Sequence, residues 1–191
     1  MSRISLVDPQ TLDGPLAAYY RDKPDGKLDV FRLIANAPTC AMPYLEFMKA
    51  TFARLDITGH ERELLVLAVS HLEQGEYEWV QHVHTAETIG IPKSKVAAIA
   101  DGFKVQGPFT EKEWALLNFV REVVQNVRVK DDTFNAMAQF FNDRQIVETI
   151  LTIGGYITLI QLTEVARLKV DRILGPDVYK SAIEDAASGK N

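Results

Sequence analysis

A carboxylate and an imidazole that could exchange protons with a substrate stand four residues apart in this chain. Glu78 and His82 would lie on the same face of a helix, one turn from each other. In that position the carboxylate can orient the imidazole and raise its pKa, which makes an acid and base suited to neutral pH. The alternative is a surface ion pair that stabilises the helix by about 0.2 to 0.5 kcal/mol. Glu63 is a third candidate, although the helix dipole alone favours a carboxylate near a helix start.

Metal binding by the same region is not predicted. Glu63, His71, Glu78 and His82 have suitable ligand atoms, but their Glu-x-x-x-His spacing differs from the Glu-x-x-His of di-iron helical bundles. His84 lies about 200° round a helix from His82, so the two cannot chelate together, and we interpret His84 as structural. No glycine-rich phosphate loop of standard spacing is present. The sequence therefore predicts neither a metal nor a cofactor.

Two arginines and two aromatic residues are candidates for substrate binding. Arg54 and Arg62 flank a turn, and the planar guanidinium group donates two parallel hydrogen bonds to a carboxylate. The alternative for both is solvated ion pairing. Tyr77 and Trp79 lie beside the proton-transfer candidates and could contact a substrate, or they could simply be core aromatics.

The elements that would position these residues are helices. Apolar residues recur at intervals of three and four between turn-forming glycines and prolines, in segments 29–36, 44–55, 60–74, 77–89, 93–100 and 111–127. The pattern Thr-x-x-Glu of a capping box, in which two side chains satisfy free backbone amides, predicts helix starts after Thr58 and Thr110. Gly90 is placed to end a helix in a left-handed conformation, and Pro92 suits the first turn of the next.

Six consecutive apolar residues, 64–69, are more than one helix face can hold. We therefore expect other helices to surround this segment. Glu63, Ser70 and His71 border the apolar run. Each must find a partner or carry a function, because an unpaired buried polar group costs about 1 to 3 kcal/mol.

Residues 149–160 fit two structures. The sequence Gly154-Gly155 between two β-branched runs is typical of a β-hairpin with a two-glycine turn. A lone hairpin in a helical chain would lack partner strands, so we favour one long helix. Two glycines in a helix cost about 2 kcal/mol relative to alanine, which indicates close packing of another helix against them.

Composition and charge narrow the possible functions. The 191 residues, 47% hydrophobic and 25% charged, predict one all-α domain over residues 1–191 that can bury a core without disulfides. A net charge of −5 without a basic cluster argues against nucleic acid as a partner. The beginning of the chain has no signal-peptide pattern, and the uncharged stretch 149–163 is too short and polar to span a membrane. The single cysteine suits a reducing compartment, so we expect a cytoplasmic protein with no membrane contact.

The sequence from about residue 43 to 119 resembles the carboxymuconolactone decarboxylase family. The branch of that family with the alkylhydroperoxidase D-like fold carries a glutamate, then twelve residues later a Cys-x-x-Cys, then a histidine four residues after the second cysteine. These positions hold Glu63, Gly75, Glu78 and His82 here. Further matching residues are Tyr77, Trp79 and Gly90. Both redox cysteines are absent, so the resemblance does not extend to thiol peroxidase chemistry.

The resemblance implies a cofactor-free decarboxylase, a carboxy-lyase, acting on a small anionic lactone such as 4-carboxymuconolactone in aromatic catabolism. In that reaction His82 would be hydrogen-bond donor and acid, Glu78 its orienting partner and Glu63 a proton relay. Arg62 or Arg54 would hold the substrate carboxylate. The resemblance also implies an oligomer, a trimer or a hexamer.

Three structural and functional possibilities accompany that interpretation. Gly154 and Gly155 would suit a helix contact between subunits of such an oligomer. An antioxidant protein of the alkylhydroperoxidase D type is disfavoured, because Cys40 has no neighbouring cysteine to resolve a sulfenic acid. A small-molecule binding or assembly protein without turnover is the remaining alternative.

Overall fold

The computed structural model describes residues 2–23 and 25–188, and all regular structure in these ranges is helical. The all-α class predicted from the sequence is therefore confirmed. The sequence also predicts a break at Pro24 and a frayed tail after Asp185, and Pro24 and residues 189–191 lie outside the described residues. The α-helices are α1 (Gly14–Asp22), α2 (Asp29–Ile34), α3 (Pro38–Ala53), α4 (Gly59–Leu72), α5 (Glu76–Thr88), α6 (Lys93–Ala100), α7 (Glu111–Asn126), α8 (Asp131–Ala138), α9 (Asp143–Ala166) and α10 (Gly175–Ala187).

Helix α4 is the centre of the core. It packs against α5, α7 and α9, and the apolar residues 64–69 are completely buried. The expectation that other helices surround this segment is confirmed. The helix begins at the predicted capping box: the amide of Thr58 donates to Glu61 Oε2 over 2.8 Å, and the amide of Glu61 donates to Thr58 Oγ1 over 3.2 Å.

The other predicted helix boundaries agree closely with the structure. A reciprocal capping box joins Thr110 and Glu113 at the start of α7. Gly90 follows α5 with a φ of +82°, the left-handed conformation that glycine adopts without strain. Pro92 caps α6 from the position before its first residue instead of lying in the first turn.

Helix α9 runs unbroken through both glycines, so the hairpin alternative is wrong. It starts at a third capping box, Asn142 with Gln145. A Cβ atom on Gly155 would lie 2.9 Å from both Met48 Sδ and Phe47 Cε1, so any other residue there would require these α3 side chains to shift. This tight contact is within the chain, whereas we expected it between subunits. Gly154 has no heavy atom within 4 Å of a built Cβ position.

By length and composition α9 could cross a membrane. An 18-residue window of α9 has a mean hydropathy of 1.5. The uncharged stretch 149–163, which is too short to span a membrane by itself, is part of this 24-residue helix. Half of that window is buried against the rest of the chain. The core helix of a soluble protein has the same composition, and the position of α9 beside α4 agrees with that interpretation.

Helix α10 covers one side of α5 and α3 and was not predicted. The side chain of Gln81 on α5 holds the end of the segment that leads into it. Gln81 Oε1 accepts hydrogen bonds from the amides of Leu174 (3.0 Å) and Gly175 (2.9 Å), and Gln81 Nε2 donates to the carbonyl of Arg172. A Cβ on Gly175 would lie 2.6 Å from the carbonyl oxygen of Gln81, so the two backbones meet where only glycine fits.

Candidate active site

A small cavity that is partly open to solvent, which we call the inner cavity, lies between α2, α3, α5, α9 and α10. It offers about 50 Å³ to water-sized molecules. Most of its wall is apolar, formed by Leu28, Val30, Phe31, Met48, Phe52, Leu159, Gly175 and Val178. Its polar lining comes from Tyr77, Glu78, Gln81, His82 and Tyr156. Two of the three residues predicted to transfer protons, Glu78 and His82, therefore line one space.

The histidine of this cavity is held by a carboxylate from another helix. His82 Nδ1 donates to Glu63 Oε1 over 2.6 Å, and Glu63 on α4 is completely buried. The His82 ring also stands edge-on to the ring of Tyr156, with 5.1 Å between their centroids. Among the described residues Nε2 of His82 has no hydrogen-bond partner. The imidazole is thus fixed through one nitrogen and can exchange protons through the other.

Behind the carboxylate lies a buried arginine whose donors are used inside the chain. Arg62 Nη1 donates to Glu63 Oε2 over 2.8 Å, Nε donates to the carbonyl of Thr51 over 2.7 Å, and Nη2 donates to the hydroxyl of Tyr156. The guanidinium group also lies 3.8 Å from the ring centroid of Phe52. Arg62 therefore pairs with Glu63 in the core, and it is not among the described residues that line the inner cavity, where the sequence had suggested that it would hold a substrate carboxylate.

Glu78 is held separately from His82. The hydroxyl of Thr163 lies 3.1 and 3.2 Å from its carboxylate oxygens. Burial raises the pKa of Glu78 to about 7; the charge of Glu164 acts in the same direction, while a backbone hydrogen bond and Thr163 oppose it. At neutral pH this carboxyl group therefore carries a proton for about half of the time. The orienting bond predicted from Glu78 to His82 is absent among the described residues, where Glu63 takes that place.

The other predicted binding residues are divided between the cavity and the surface. Tyr77 lines the inner cavity and donates its hydroxyl to Asp171 Oδ1 over 2.8 Å. Arg54 is exposed at the end of α3 and is not part of the cavity wall. Trp79 points away from the cavity, with its ring centroid 6.2 Å from that of His71. Of the substrate-binding candidates, Tyr77 is the one that lines the inner cavity among the described residues.

Trp79 and His71 belong to a second, open depression, which we call the outer hollow. It measures about 360 Å³ and is lined by Ser70, His71, Gln74, Gly75, Glu76, Trp79 and Ala100. Burial lowers the pKa of His71; Lys104 acts in the same direction and Asp101 opposes it. Ser70 Oγ is buried there without a hydrogen-bond partner. Because His71 lies in this hollow, the four-residue metal set considered from the sequence is not assembled, and the described residues contain no group of three potential ligands.

The two positions at which the resembling family carries cysteines have different surroundings in this chain. Glu78 occupies the second position and faces the inner cavity. Gly75 occupies the first, and a Cβ atom there would lie 2.7 Å from Cγ1 of Ile160. Ile160 of α9 therefore fills the space that a side chain at position 75 would need.

Two residues that hold the site were missed from the sequence. Tyr156 receives a hydrogen bond from Arg62 and contacts His82, and Thr163 holds Glu78. Both lie on α9. Tyr156 was missed because residues 149–160 fitted either a hairpin or a helix. A helical period over residues 143–166 places Tyr156 and Thr163 two turns apart on one face.

No protein-family model and no curated protein matches the sequence. Several solved structures match the fold. An uncharacterized peroxidase-related protein from Ralstonia eutropha JMP134, described as an alkylhydroperoxidase AhpD core, aligns with a TM-score of 0.79 at 18% identity over 92% of this chain and 96% of its own. A peroxidase-related protein from Silicibacter sp. TM1040 aligns with a TM-score of 0.71 at 15% identity over 88% of this chain and 95% of its own.

A third match is a cysteine variant of the debrominase Bmp8 in complex with 2,3,4-tribromopyrrole. It aligns with a TM-score of 0.71 at 16% identity over 96% of this chain and 100% of its own. These identities show the fold alone. The chain thus has the AhpD-like helical fold that its resemblance implied, and none of the three matches is described as a decarboxylase.

Proposed function

We propose that this protein is an enzyme that transfers protons to a small organic substrate, without a metal or an organic cofactor. The observation that carries this proposal is that Glu78 and His82, both buried, line one small cavity while Glu63 fixes the imidazole from behind. An acid and a base that share a water-poor, apolar space are the usual parts of a proton-transfer site.

The specific reaction we propose is decarboxylation of a small anionic lactone such as 4-carboxymuconolactone. The bond between the leaving carboxylate and a carbon conjugated with the lactone carbonyl breaks, and carbon dioxide departs. The electron pair moves onto the carbonyl oxygen and forms an enolate. One proton then adds to carbon, so the reaction consumes one proton and needs no oxidant or reductant.

The residues of the inner cavity divide this work. His82 in its protonated form donates from Nε2 to the enolate oxygen, while the Glu63 carboxylate on Nδ1 balances the imidazolium charge. Glu78, protonated about half of the time at neutral pH, delivers the proton to carbon. Glu63 is therefore the orienting residue, a role that we expected for Glu78, and Glu78 is the acid that protonates carbon, a role that we expected for His82.

Two other functions have less support. A thiol peroxidase of the AhpD type would use cysteines where this chain has Gly75 and Glu78, and Cys40 is exposed on α3. A binding protein without turnover has no need for a buried acid and an oriented imidazole in the same cavity.

The direct test is release of carbon dioxide from 4-carboxymuconolactone by the purified protein. We expect His82→Gln and Glu78→Gln each to lower kcat by about 100- to 10,000-fold, the usual contribution of a general acid. The matched controls lie on the exposed side of the same helix: His84→Gln and Glu87→Gln should keep the wild-type rate. If the wild type releases no carbon dioxide from this lactone, the decarboxylase proposal is wrong. Wild-type rates in both cavity variants would refute the roles of His82 and Glu78.

We also propose that the chain assembles with copies of itself. Four apolar side chains of α9 are at least 45% exposed: Val147, Ile150, Leu151 and Val165. Neighbouring apolar residues on one exposed helix commonly form protein contacts. Analytical ultracentrifugation measures the assembly, and a monomer at micromolar concentration would contradict it.

A further inference from the structure

A second cavity lies beside the inner cavity, and we call it the lysine cavity. It offers about 30 Å³ to water-sized molecules. The two cavities share part of their walls, formed by Phe31, Met48, Phe52 and Val178. A molecule longer than either cavity could therefore extend from one into the other if this shared wall moved. Met48 is the most adaptable part of it, because an unbranched thioether side chain changes rotamer easily.

Two lysines and one aspartate line the lysine cavity. Lys23 Nζ lies 2.8 and 2.6 Å from the two carboxylate oxygens of Asp185, and Lys49 Nζ lies 2.8 Å from one of them. Burial alone would raise the pKa of Asp185, but its hydrogen bonds with the two lysines hold that pKa below its usual value. With two ammonium groups and one carboxylate, this cluster carries an excess of one positive charge.

The inner cavity has no such excess of positive charge. Lysine and arginine are absent from its described lining residues, and the guanidinium group of Arg62 is occupied by Glu63, Tyr156 and Thr51. A substrate with a second carboxylate would therefore find no permanent positive charge beside Glu78 and His82. Burying a carboxylate without a partner is strongly unfavourable, so a cationic group must come from elsewhere.

We infer that Lys23 and Lys49 form a binding site for the non-reacting carboxylate of the substrate. The ligand class is a small organic acid with a flat apolar body, whose carboxylate lies at the lysines and whose other end enters the inner cavity. Each ammonium group has three donors, so both lysines can bind this carboxylate without releasing Asp185. The inference rests on the proposed function for the reaction at the far end, but the carboxylate site itself can be tested by binding alone.

The experiment compares pairs of ligands that differ in charge and hardly in shape. Isothermal titration calorimetry measures the affinity of benzoate against benzamide, and of trans-cinnamate against cinnamamide. We expect the wild-type protein to bind at least one carboxylate about tenfold more tightly than its amide, and Lys49→Met and Lys23→Met to lose most of that preference. Lys49→Arg should keep it. Lys93→Met is the control, because the side chain of Lys93 is 91% exposed on α6.

The outcomes separate this inference from the proposed function. If neither carboxylate binds the wild type more tightly than its amide, the inference is wrong, and this comparison needs no substitution that could unfold the protein. A preference that survives in folded Lys49→Met and Lys23→Met also refutes it. A lysine-dependent preference in a protein that does not decarboxylate the lactone would leave the carboxylate site standing and refute the proposed function.

Discussion

The inner cavity and the outer hollow each contain a histidine beside an aromatic ring, yet they differ in what lies behind the histidine. His82 has the buried carboxylate of Glu63 at 2.6 Å, whereas His71 has rings at 6.2 and 6.3 Å and, in the same hollow, a buried Ser70 hydroxyl without a partner. The inner cavity is also much the smaller, about 50 Å³ against about 360 Å³. A small space lined by buried ionisable groups is better suited to proton transfer than a large open one, because charge interactions strengthen where water is scarce.

The largest effect expected from this difference is on stability at Glu63. Glu63→Gln removes the charge that compensates buried Arg62, and we expect the free energy of unfolding to fall by about 3 to 5 kcal/mol. Urea denaturation at pH 7 measures it. Glu76→Gln, at an exposed residue that lines the outer hollow, should change the free energy by less than about 0.5 kcal/mol. Adding Arg62→Met to Glu63→Gln should recover part of the loss, and a simple sum of two losses would contradict an ion pair.

Glu78 should make stability depend on pH. Its folded pKa of about 7 lies above the ordinary 4.5, so the folded state binds more protons between these values and wild-type stability falls as pH rises. Glu78→Gln lacks this titration. Relative to the wild type, the variant should therefore gain about 3 kcal/mol in unfolding free energy between pH 4.5 and pH 8.

His71, in the outer hollow, should make stability depend on pH with the opposite sign to Glu78. Because the folded pKa of His71 lies below its ordinary 6.5, wild-type stability falls as pH drops below 6.5. His71→Gln removes that dependence. The unfolding free energy of this variant relative to the wild type should therefore fall as pH rises, whereas that of Glu78→Gln should rise. Urea denaturation between pH 4.5 and pH 8 measures both. Slopes of the same sign would show that the two sites do not differ as described.

A smaller effect is expected at Gly75, which lies between the two sites. Gly75→Ala places a Cβ atom 2.7 Å from Ile160 Cγ1, and we expect overpacking to cost about 1 to 3 kcal/mol. Gly154→Ala is the control, because its Cβ meets no atom within 4 Å and it should gain about 0.5 to 1 kcal/mol. Ile160→Val should relieve part of the cost in the Gly75→Ala background. Equal effects of the two alanine variants would show that position 75 has room for a side chain.

The smallest effect is expected at Ser70. Its hydroxyl has no partner to lose, so Ser70→Ala should leave stability unchanged or raise it by up to about 1 kcal/mol. Thr163→Val, which removes the hydroxyl that contacts Glu78, should cost about 1 kcal/mol. Thermal unfolding distinguishes the two signs. A loss at Ser70 larger than at Thr163 would mean that the outer hollow contains a polar contact.

Local signals in the sequence were enough to predict most of the helices. Capping boxes at Thr58 and Thr110 and the glycine at position 90 set helix boundaries through interactions within a few residues, and these were predicted correctly. The third box, at Asn142, uses Asn and Gln in the same spacing and could have been found. Helix α3 begins at Pro38 and runs through Pro43, whereas the segment predicted from the sequence begins at residue 44. Packing of α3 against α9 and α10 outweighs the backbone hydrogen bond lost at Pro43.

The candidate site was predicted in part. Glu63, Glu78 and His82 were identified, but the spacing of Glu78 and His82 suggested a bond between them that the structure does not contain. Spacing along the sequence predicts contacts within one helix. The hydrogen bond to His82 comes from Glu63 on α4 and depends on how α4 and α5 cross. Arg62 was expected at the substrate, and its burial beside Glu63 could not be inferred from its position next to a turn.

Helix α10 is attached differently at its two ends. At Gly175 it is tied by hydrogen bonds to the Gln81 side chain, which salt does not weaken, while at Asp185 it is held by ion pairs to Lys23 and Lys49, which salt screens. Ionic strength should therefore loosen the far end while the near end stays in place, so that the helix tilts about Gly175. Val178, which separates the two cavities, would move with it, and faster amide hydrogen exchange in the last turns of α10 at high salt would report that movement.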